Sequence, residues 1–368
     1  MLVSCGTQMA DAIVIGGGVM GLAAARELRR RQYSVTVLER AQPGRAASWA
    51  SAGIIGATLR YESDPRYALR QLSAQLWPEF ASAIQEESGI DPEYLEIGCI
   101  QLAETDAELA GLRQAAQRTD GADFLDAERL RKLEPNISQH MLGGLLVPGG
   151  NVDNRRLCRA LEIGVRWAGV TIETGAEVRQ VTTSGRSVAG VETADRQFPA
   201  DIVIVAAGAW SGAIRNLEPR PPVGPQRGQI LALDHAAVGI QHVLLTTDDP
   251  YFVPRADGRL VVGATREEAG WDASLTAGGV VWLLRRAIEV VPALEHSPIL
   301  ELWTGFRPLC ADGLPLIGRG ALDGLYFLTG HGPSGIAPLP GSIALLMALI
   351  ANEPPPVAPE PFDPLRFT

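Results

Sequence analysis

The stretch that decides the fold is AIVIGGGVMGLAAARELRRRQYSVTVLER, residues Ala12–Arg40. An apolar run enters a glycine turn, a helical pattern follows from Val19, and a second apolar run ends at Glu39. This order predicts a strand, a tight turn, a helix and a second parallel strand. The chain therefore begins as a Rossmann-like, doubly wound α/β sheet.

The turn carries glycines at the spacing G-x-G-x-x-G, at Gly16, Gly18 and Gly21. In a βαβ unit these glycines allow a tight turn, leave room for a pyrophosphate and bring the helix close to the strand. The free N–H groups and the dipole of the helix N-terminus favour a diphosphate. Glu39 lies 18 residues after Gly21, where a carboxylate accepts hydrogen bonds from ribose hydroxyls. The segment predicts a dinucleotide site; a tight turn without a ligand would leave the acid at Glu39 unexplained.

The composition is that of an acidic globular protein. The chain has 368 residues, 46% of them apolar, and a net charge of −10. It is long enough for two cores or one large discontinuous domain, and its charge argues against nucleic acid and anionic membranes as partners. Lys132 is the single lysine, so almost every cation in a pocket must be an arginine.

The cysteines and histidines predict neither disulfides nor a metal site. The four cysteines, Cys5, Cys99, Cys158 and Cys310, show no paired spacing and indicate reduced thiols in a cytoplasmic protein. No histidine stands in a metal-type cluster with acids or cysteines. No apolar run reaches the roughly 20 residues that a transmembrane helix needs.

Later segments separate a flavin site from a nicotinamide site. Residues 200–211, ADIVIVAAGAWS, resemble the second strand-and-glycine motif of two-domain FAD enzymes, with Gly208 at the turn. Residues 312–318, DGLPLIG, and 324–332, GLYFLTGHG, resemble the flavin-capping end of the glycine oxidase and D-amino acid oxidase family. Together with the first motif and residues 48–53, SWASAG, the resemblance covers essentially the whole chain, and it is closest to glycine oxidases of the thiamine-synthesis type.

The resemblance implies a Rossmann-like FAD-binding domain interleaved with a second, α+β domain that binds substrate on an antiparallel sheet. We expect the first domain to comprise residues 9–85, 145–218 and 300–368, and the second residues 86–144 and 219–299. The chain would then cross between the domains several times.

The resemblance also implies FAD bound without a covalent link. Gly305 stands where relatives with covalent flavin have a cysteine, and the lone Lys132 lies in a polar helical pattern rather than beside the flavin. We interpret His331 as support for the backbone beside the flavin, because hydride transfer from a neutral amine needs no base. The residues implied for FAD are Gly16, Gly18, Val19, Met20, Gly21, Glu39 and Arg40 at the nucleotide end, Ser48, Ser51, Gly53 and Ile54 after the pyrophosphate, Val178 and Gly208, and Gly330, His331, Gly332, Gly335 and Ile336 beside the flavin ring.

Flavin-dependent oxidation of an amino acid requires a group that fixes the carboxylate, and a guanidinium grips both oxygens. Arg307, in WTGFRP, matches the family's carboxylate-binding arginine, and Tyr251, in PYFVP, matches its helper tyrosine. The family's further arginine in the histidine–glycine loop is replaced here by Pro333 or Ser334. Arg266 either compensates as a second cation or is a solvated surface arginine, and we favour the latter.

The resemblance implies oxidative deamination of glycine or a small D- or N-methyl amino acid, with O2 as acceptor, giving a 2-oxo acid, ammonia or an amine, and hydrogen peroxide. Three alternatives remain at this point: a dehydrogenase that reduces a quinone, a non-catalytic flavoprotein or subunit, and, more remotely, a nicotinamide dehydrogenase. The family also suggests a homo-oligomer.

Overall fold

A largely parallel sheet forms around the predicted βαβ unit in the computed structural model, which describes residues 10–56 and 64–368. Its main path has the order β17-β18-β11-β1-β2-β8, and the hairpin β9–β10 extends from β11. The strands, numbered in chain order, are β1 (Ala10–Ile15), β2 (Val35–Glu39), β8 (Thr171–Thr174), β9 (Gln180–Ser184), β10 (Ser187–Glu192), β11 (Gln197–Val205), β17 (Leu316–Arg319) and β18 (Leu325–Thr329). β1 pairs in parallel with both β2 and β11, as the opening segment predicts.

The helices divide between the two parts of the molecule. They are α1 (Val19–Arg30), α2 (Ala47–Ala50), α3 (Tyr67–Ser88), α4 (Asp106–Ala116), α5 (Ala127–Leu133), α6 (Asn154–Trp167), α7 (Ala277–Val290) and α8 (Leu339–Ala351). α1, α3, α6 and α8 share one core with the residues of one face of the parallel sheet, such as Val14 and Ile204. Alternate strand residues such as Ile13 and Val203 face the β9–β10 hairpin, so both faces of the sheet are covered.

A second sheet of eight strands has the order β16-β12-β15-β14-β13-β4-β6-β5. Its strands are β4 (Cys99–Ala103), β5 (Asp123–Asp126), β6 (Gly143–Val147), β12 (Val223–Asp234), β13 (Val243–Leu245), β14 (Tyr251–Pro254), β15 (Arg259–Gly263) and β16 (Ile299–Cys310). All its pairs are antiparallel except β13 with β4. A short ladder between β3 (Ile54–Gly56) and β7 (Gly149–Asn151) makes a third sheet.

The predicted domain limits at residues 145 and 300 fall inside strands of the second sheet. Residue 145 lies within β6, and residue 300 lies within β16. The ladder between β12 and β16 runs from Val223 opposite Cys310 to Leu233 opposite Ile299, so β16 belongs to this sheet along its whole length. The strands of the second sheet therefore reach residue 147 in β6 and residue 310 in β16, and the domain limits stay a prediction.

Two further properties concern the described part of the chain. Among residues 10–56 and 64–368, no helix combines the length and the apolar character needed to cross a membrane. Cys99, Cys158 and Cys310 are buried free thiols, and Cys5 lies outside the described residues.

Candidate active site

A cavity of about 750 Å³ lies where the two large sheets meet. Its walls include the C-terminal ends of β1, β2, β11 and β18 and residues of β12, β13, β14 and β16. The carboxyl ends of parallel strands are where open α/β sheets bind ligands. Every predicted catalytic and cofactor-binding residue lines this cavity except Gly21.

Gly21 acts in the packing of α1. A Cβ atom at Gly21 would lie 1.9 Å from the carbonyl oxygen of Gly16, and a Cβ at Gly16 would lie 2.4 Å from that of Ala206. Gly16 also has a φ of +107°, which favours glycine. The two glycines let the first turn of α1 lie against the ends of β1 and β11, which brings the helix N-terminus to the cavity.

The nucleotide end of the cavity has a preorganised carboxylate. Glu39 Oε2 accepts a hydrogen bond of 2.7 Å from the Gly17 N–H, and its Oε1 accepts one of 2.8 Å from the Ala41 N–H. Each carboxylate oxygen keeps a further acceptor position, which suits ribose hydroxyls. At the start of α1, the Val19 N–H donates to Ser48 Oγ at 3.1 Å. This donor and acceptor set fits the adenosine and diphosphate part of a dinucleotide.

Trp210 and Arg40 close this end of the cavity. The Arg40 guanidinium lies 4.6 Å from the centroid of the Trp210 ring, and Trp210 stacks on Trp271 with ring centroids 4.7 Å apart. Arg40 and Trp210 both line the cavity. The sequence assigned Arg40 to the nucleotide end, but no local pattern showed that Trp271, 61 positions after Trp210, would complete the stack.

At the other end of the cavity, Arg307 presents a cation without an acidic partner. Its Nη1 donates to the carbonyl oxygens of Thr265 at 2.9 Å and Arg227 at 3.4 Å. Within the described ranges, no carboxylate lies within 4.0 Å of its guanidinium, and neither Nε nor Nη2 has a hydrogen-bond partner. Burial lowers its pKa from the ordinary arginine value, yet guanidinium groups stay charged in proteins. The free edge can therefore receive the two oxygens of a ligand carboxylate.

Tyr251, the first residue of β14, is the second predicted catalytic residue, and it lies at the same end of the cavity as Arg307. Burial raises the pKa of its phenol to about 12, an effect that the nearby Arg307 charge opposes. The hydroxyl is therefore protonated at neutral pH and can donate a hydrogen bond.

His331 is neutral in this environment. Burial lowers the pKa of its imidazole to about 3, and its Nε2 lies 3.2 Å from the Ser342 hydroxyl on α8. A neutral ring tied to α8 fits the supporting role that we predict from the sequence.

Arg266 lies on the rim of the cavity, and its side chain is 59% exposed. Its Nε donates to Asp249 Oδ2 at 2.5 Å. The side chain is therefore exposed, as the favoured interpretation of the sequence has it, and it also lines the cavity. Asp249, which sequence reasoning missed, lines it too.

The other sequence departures are placed as follows. Pro333 and Ser334 line the cavity within a short 3-10 helix, so this loop supplies no cation. Lys132 is exposed on α5 and pairs with Glu128 at 2.7 Å. A Cβ at Gly305 would lie 2.5 Å from Ala50 Cβ, and none of the three cysteines that the structure describes lines the cavity. Within the described ranges, no group of His, Cys, Asp and Glu side chains could hold a metal ion.

Arg255 is a residue of the site region that the sequence did not reveal. It is 5% exposed, and its two Nη atoms donate to four oxygens at 2.6–2.9 Å. One acceptor is the carbonyl of Ala52, in the segment that carries Ser51 and Gly53. Arg255 thus ties the second sheet to the cavity wall, through contacts between residues too distant in sequence to form a motif.

The fold and this site define an FAD-dependent oxidoreductase. The chain belongs to the DAO family of FAD-dependent oxidoreductases, whose model matches residues 11–349. This result confirms the family resemblance, the fold class and the enzyme class that the sequence predicts.

Individual relatives agree with this assignment. The chain is 32% identical to the glycine oxidase of Pseudomonas aeruginosa over 357 residues, which cover 96% of this chain and 98% of that protein. It is similar to the crystal structure of the Geobacillus kaustophilus glycine oxidase, with a TM-score of 0.91, 30% identity and coverage of 96% and 98% of the two chains. It is also 34% identical to a bifunctional protein ThiO/ThiG of Synechocystis, covering 97% of this chain and 54% of that protein, so it spans about half of that relative.

Proposed function

We propose that this protein oxidises glycine or a small D- or N-methyl amino acid, using non-covalently bound FAD and O2. The products are a 2-oxo acid, ammonia or an amine, and hydrogen peroxide. The observation that carries the proposal is the guanidinium of Arg307, which lines the cavity without a carboxylate within 4.0 Å among the described residues. An amino acid supplies the missing carboxylate.

When bound, FAD supplies an acceptor that takes a hydride from the substrate Cα and passes the two electrons to O2. Glu39, the start of α1 and the loop around His331 would hold it. The substrate loses a hydride from Cα and a proton from nitrogen, and the resulting imine reacts with water to give the 2-oxo acid and ammonia or an amine.

The protein's own residues then have three tasks. Arg307 holds the substrate carboxylate through its free edge, and the Tyr251 hydroxyl donates a further hydrogen bond to it. These contacts fix the distance and direction of Cα, and such positioning lowers the barrier to the reaction. His331, whose pKa burial lowers to about 3, is too weak a base to take the proton of the substrate ammonium, so the reacting amine arrives neutral or loses its proton to solvent.

Three finer predictions accompany this function. Non-covalent FAD is supported by Cys99, Cys158 and Cys310, since none of these three described cysteines lines the cavity. The buried free thiols support a reducing, cytoplasmic location. The likeness to relatives of the thiamine-synthesis type supports a role in that synthesis, and a homo-oligomer stays a prediction from the family.

The test is anaerobic reduction of the flavin in the purified protein by a panel of glycine, sarcosine and small D-amino acids. We expect the flavin absorbance to bleach with at least one of them and peroxide to form when O2 is admitted. Peroxide yield compared with dye reduction distinguishes an oxidase from a quinone-dependent dehydrogenase.

The Arg307→Ala variant should lose about 100-fold or more in kcat/KM, since it removes a charge-assisted, two-point contact. Arg285→Ala is the matched control, because Arg285 is 67% exposed on α7 and does not line the cavity. The proposal is refuted if no amino acid bleaches the flavin, or if the two variants behave alike.

A further inference from the structure

The substrate end of the cavity contains a second guanidinium that the proposed reaction does not use. Arg266 follows Thr265 directly, and the Thr265 carbonyl oxygen accepts the 2.9 Å hydrogen bond from Arg307 Nη1. On the other side, Glu267 Oε1 accepts a hydrogen bond from the Thr265 hydroxyl at 2.5 Å. The backbone at Arg266 is therefore anchored next to the carboxylate-binding arginine.

Among the described residues, the guanidinium of Arg266 is hydrogen-bonded through one of its three nitrogens. Its Nε donates to Asp249 Oδ2, and neither Nη atom has a hydrogen-bond partner within residues 10–56 and 64–368. Asp249 has 16% of its side chain exposed, so the anchoring carboxylate is the more buried partner of the pair. The two Nη groups remain available on the side chain that lines the cavity rim.

Electrostatic balance favours an anionic ligand group here. Among the residues that line this end of the cavity, Arg307 and Arg266 are positive and Asp249 is negative. Glu267, which does not line the cavity but also acts on the pKa of Arg307, is paired with Arg227. Arg266 and Asp249 both influence the pKa of Tyr251 and of Arg307, which places them within electrostatic range of the substrate position. An exposed ion pair of this kind adds at most about 1 kcal/mol to stability, so the pair of Arg266 and Asp249 contributes little to the folding of the protein.

A guanidinium with a free edge is the side chain best suited to a carboxylate. An α-amino acid bound to Arg307 directs its side chain or N-substituent away from that clamp, into the remaining part of the cavity. A second carboxylate on that substituent would meet Arg266, while a neutral group would leave it unused.

We propose that Arg266, oriented by Asp249, binds a second carboxylate, and that the preferred substrates are amino acids that carry one on the side chain or on the amine nitrogen. This inference rests on the proposed function, since it names the substrate class for the same site. Arg266 is a specificity-determining residue in this scheme, and Arg307 remains the clamp for the carboxylate next to Cα.

The test compares probes of nearly equal shape and different charge. D-aspartate and D-asparagine serve as substrates, and succinate and succinamate serve as non-oxidised ligands whose binding is read from the flavin absorbance. We expect kcat/KM of the wild-type protein to be about tenfold or more higher for D-aspartate than for D-asparagine, and succinate to bind about tenfold or more tighter than succinamate. In Arg266→Gln, the kcat/KM ratio and the affinity ratio should each fall by about tenfold, as for loss of one charge-assisted hydrogen-bonding contact. Arg285→Gln, at an exposed arginine of α7, is the matched control and should keep both wild-type ratios.

The outcomes separate this inference from the proposed function. The role of Arg266 would be overturned if the wild type and Arg266→Gln showed the same preference for D-aspartate over D-asparagine and for succinate over succinamate. It would also be overturned if the wild type preferred D-asparagine and succinamate. A flavin that no amino acid reduces would overturn the proposed function. In that case the succinate and succinamate titrations still decide whether Arg266 binds a second carboxylate.

Discussion

Gly228, on β12, provides the space in which the Arg307 guanidinium lies. A Cβ atom at Gly228 would be 2.8 Å from Nη2 and 2.9 Å from both Cζ and Nη1 of Arg307. All three nearest atoms belong to that one side chain, and Gly228 does not have a positive φ. The Gly228→Ala variant should therefore fold without backbone strain and displace only the guanidinium.

The size of the displacement follows from the distances. Ordinary contacts of a Cβ atom lie at 3.4–4 Å, so the guanidinium must retreat by about 0.6–1.2 Å. The 2.9 Å hydrogen bond to the Thr265 carbonyl then lengthens or breaks, and the free edge no longer faces the same point in the cavity. A misplacement of about 1 Å costs up to roughly 100-fold in rate, so we expect kcat/KM to fall by about 10- to 100-fold.

The assay is steady-state kcat/KM with the best substrate of the amino acid panel, together with FAD content and thermal stability. Gly224→Ala is the matched control, because Gly224 is on the same strand and a Cβ there would meet no atom within 4 Å. We expect both variants to retain FAD and only Gly228→Ala to lose activity. If both have the same kcat/KM, the position of the Arg307 guanidinium does not govern substrate oxidation, and the reasoning is refuted.

Three further predictions concern residues at the substrate end of the cavity and one that supports the cavity wall. Because burial raises the pKa of Tyr251 to about 12 and lowers that of His331 to about 3, neither group titrates between about pH 5 and 10. Flavin reduction followed by stopped flow should then rise with pH through the ionisation of the substrate amine alone, and Tyr251→Phe should lower kcat/KM about tenfold without changing that profile. Glu267→Gln weakens the 2.5 Å contact with the Thr265 hydroxyl, and we expect KM to rise about three- to tenfold while FAD binding is kept; an unchanged KM would show that this anchor is dispensable. Arg255→Met removes four hydrogen bonds from a buried site and should lower the free energy of unfolding by about 2–4 kcal/mol, measured by urea denaturation of the FAD-loaded protein; a smaller loss would mean that the four acceptors find other donors.

The sequence predicts those parts of the site whose geometry is local. The G-x-G-x-x-G motif specifies its own turn, so α1 begins at Val19 and β2 ends at Glu39 as expected. Arg307 and Tyr251 are predicted from the resemblance to the family, and both residues line one cavity with the glycine turn. Local motifs are informative because a βαβ turn needs the same glycines wherever it occurs.

The remaining part of the site depends on strand register, which local sequence does not specify. Gly228 matters only because β12 pairs with β16 so that Gln226 lies opposite Arg307. Asp249 matters only because its carboxylate meets a residue 17 positions later, on the other side of the β14–β15 hairpin. Residues 145 and 300 lie within β6 and β16, and the sheet to which these strands belong is likewise set by distant pairing.

The strongest evidence for an anionic ligand comes from comparing three arginines in one structure. Arg227 is 5% exposed and neutralised by Glu267 at 2.5 Å and Asp272 at 2.8 Å. Arg255, also 5% exposed, has no acid within 4.0 Å among the described residues but donates to four oxygens. Within residues 10–56 and 64–368, Arg307 has neither an acid within 4.0 Å nor a full set of acceptors, because only its Nη1 donates, to two carbonyl oxygens. A desolvated cation with free donors is costly unless an anion completes it, so of these three arginines Arg307 is the one suited to bind the carboxylate of the substrate that we propose.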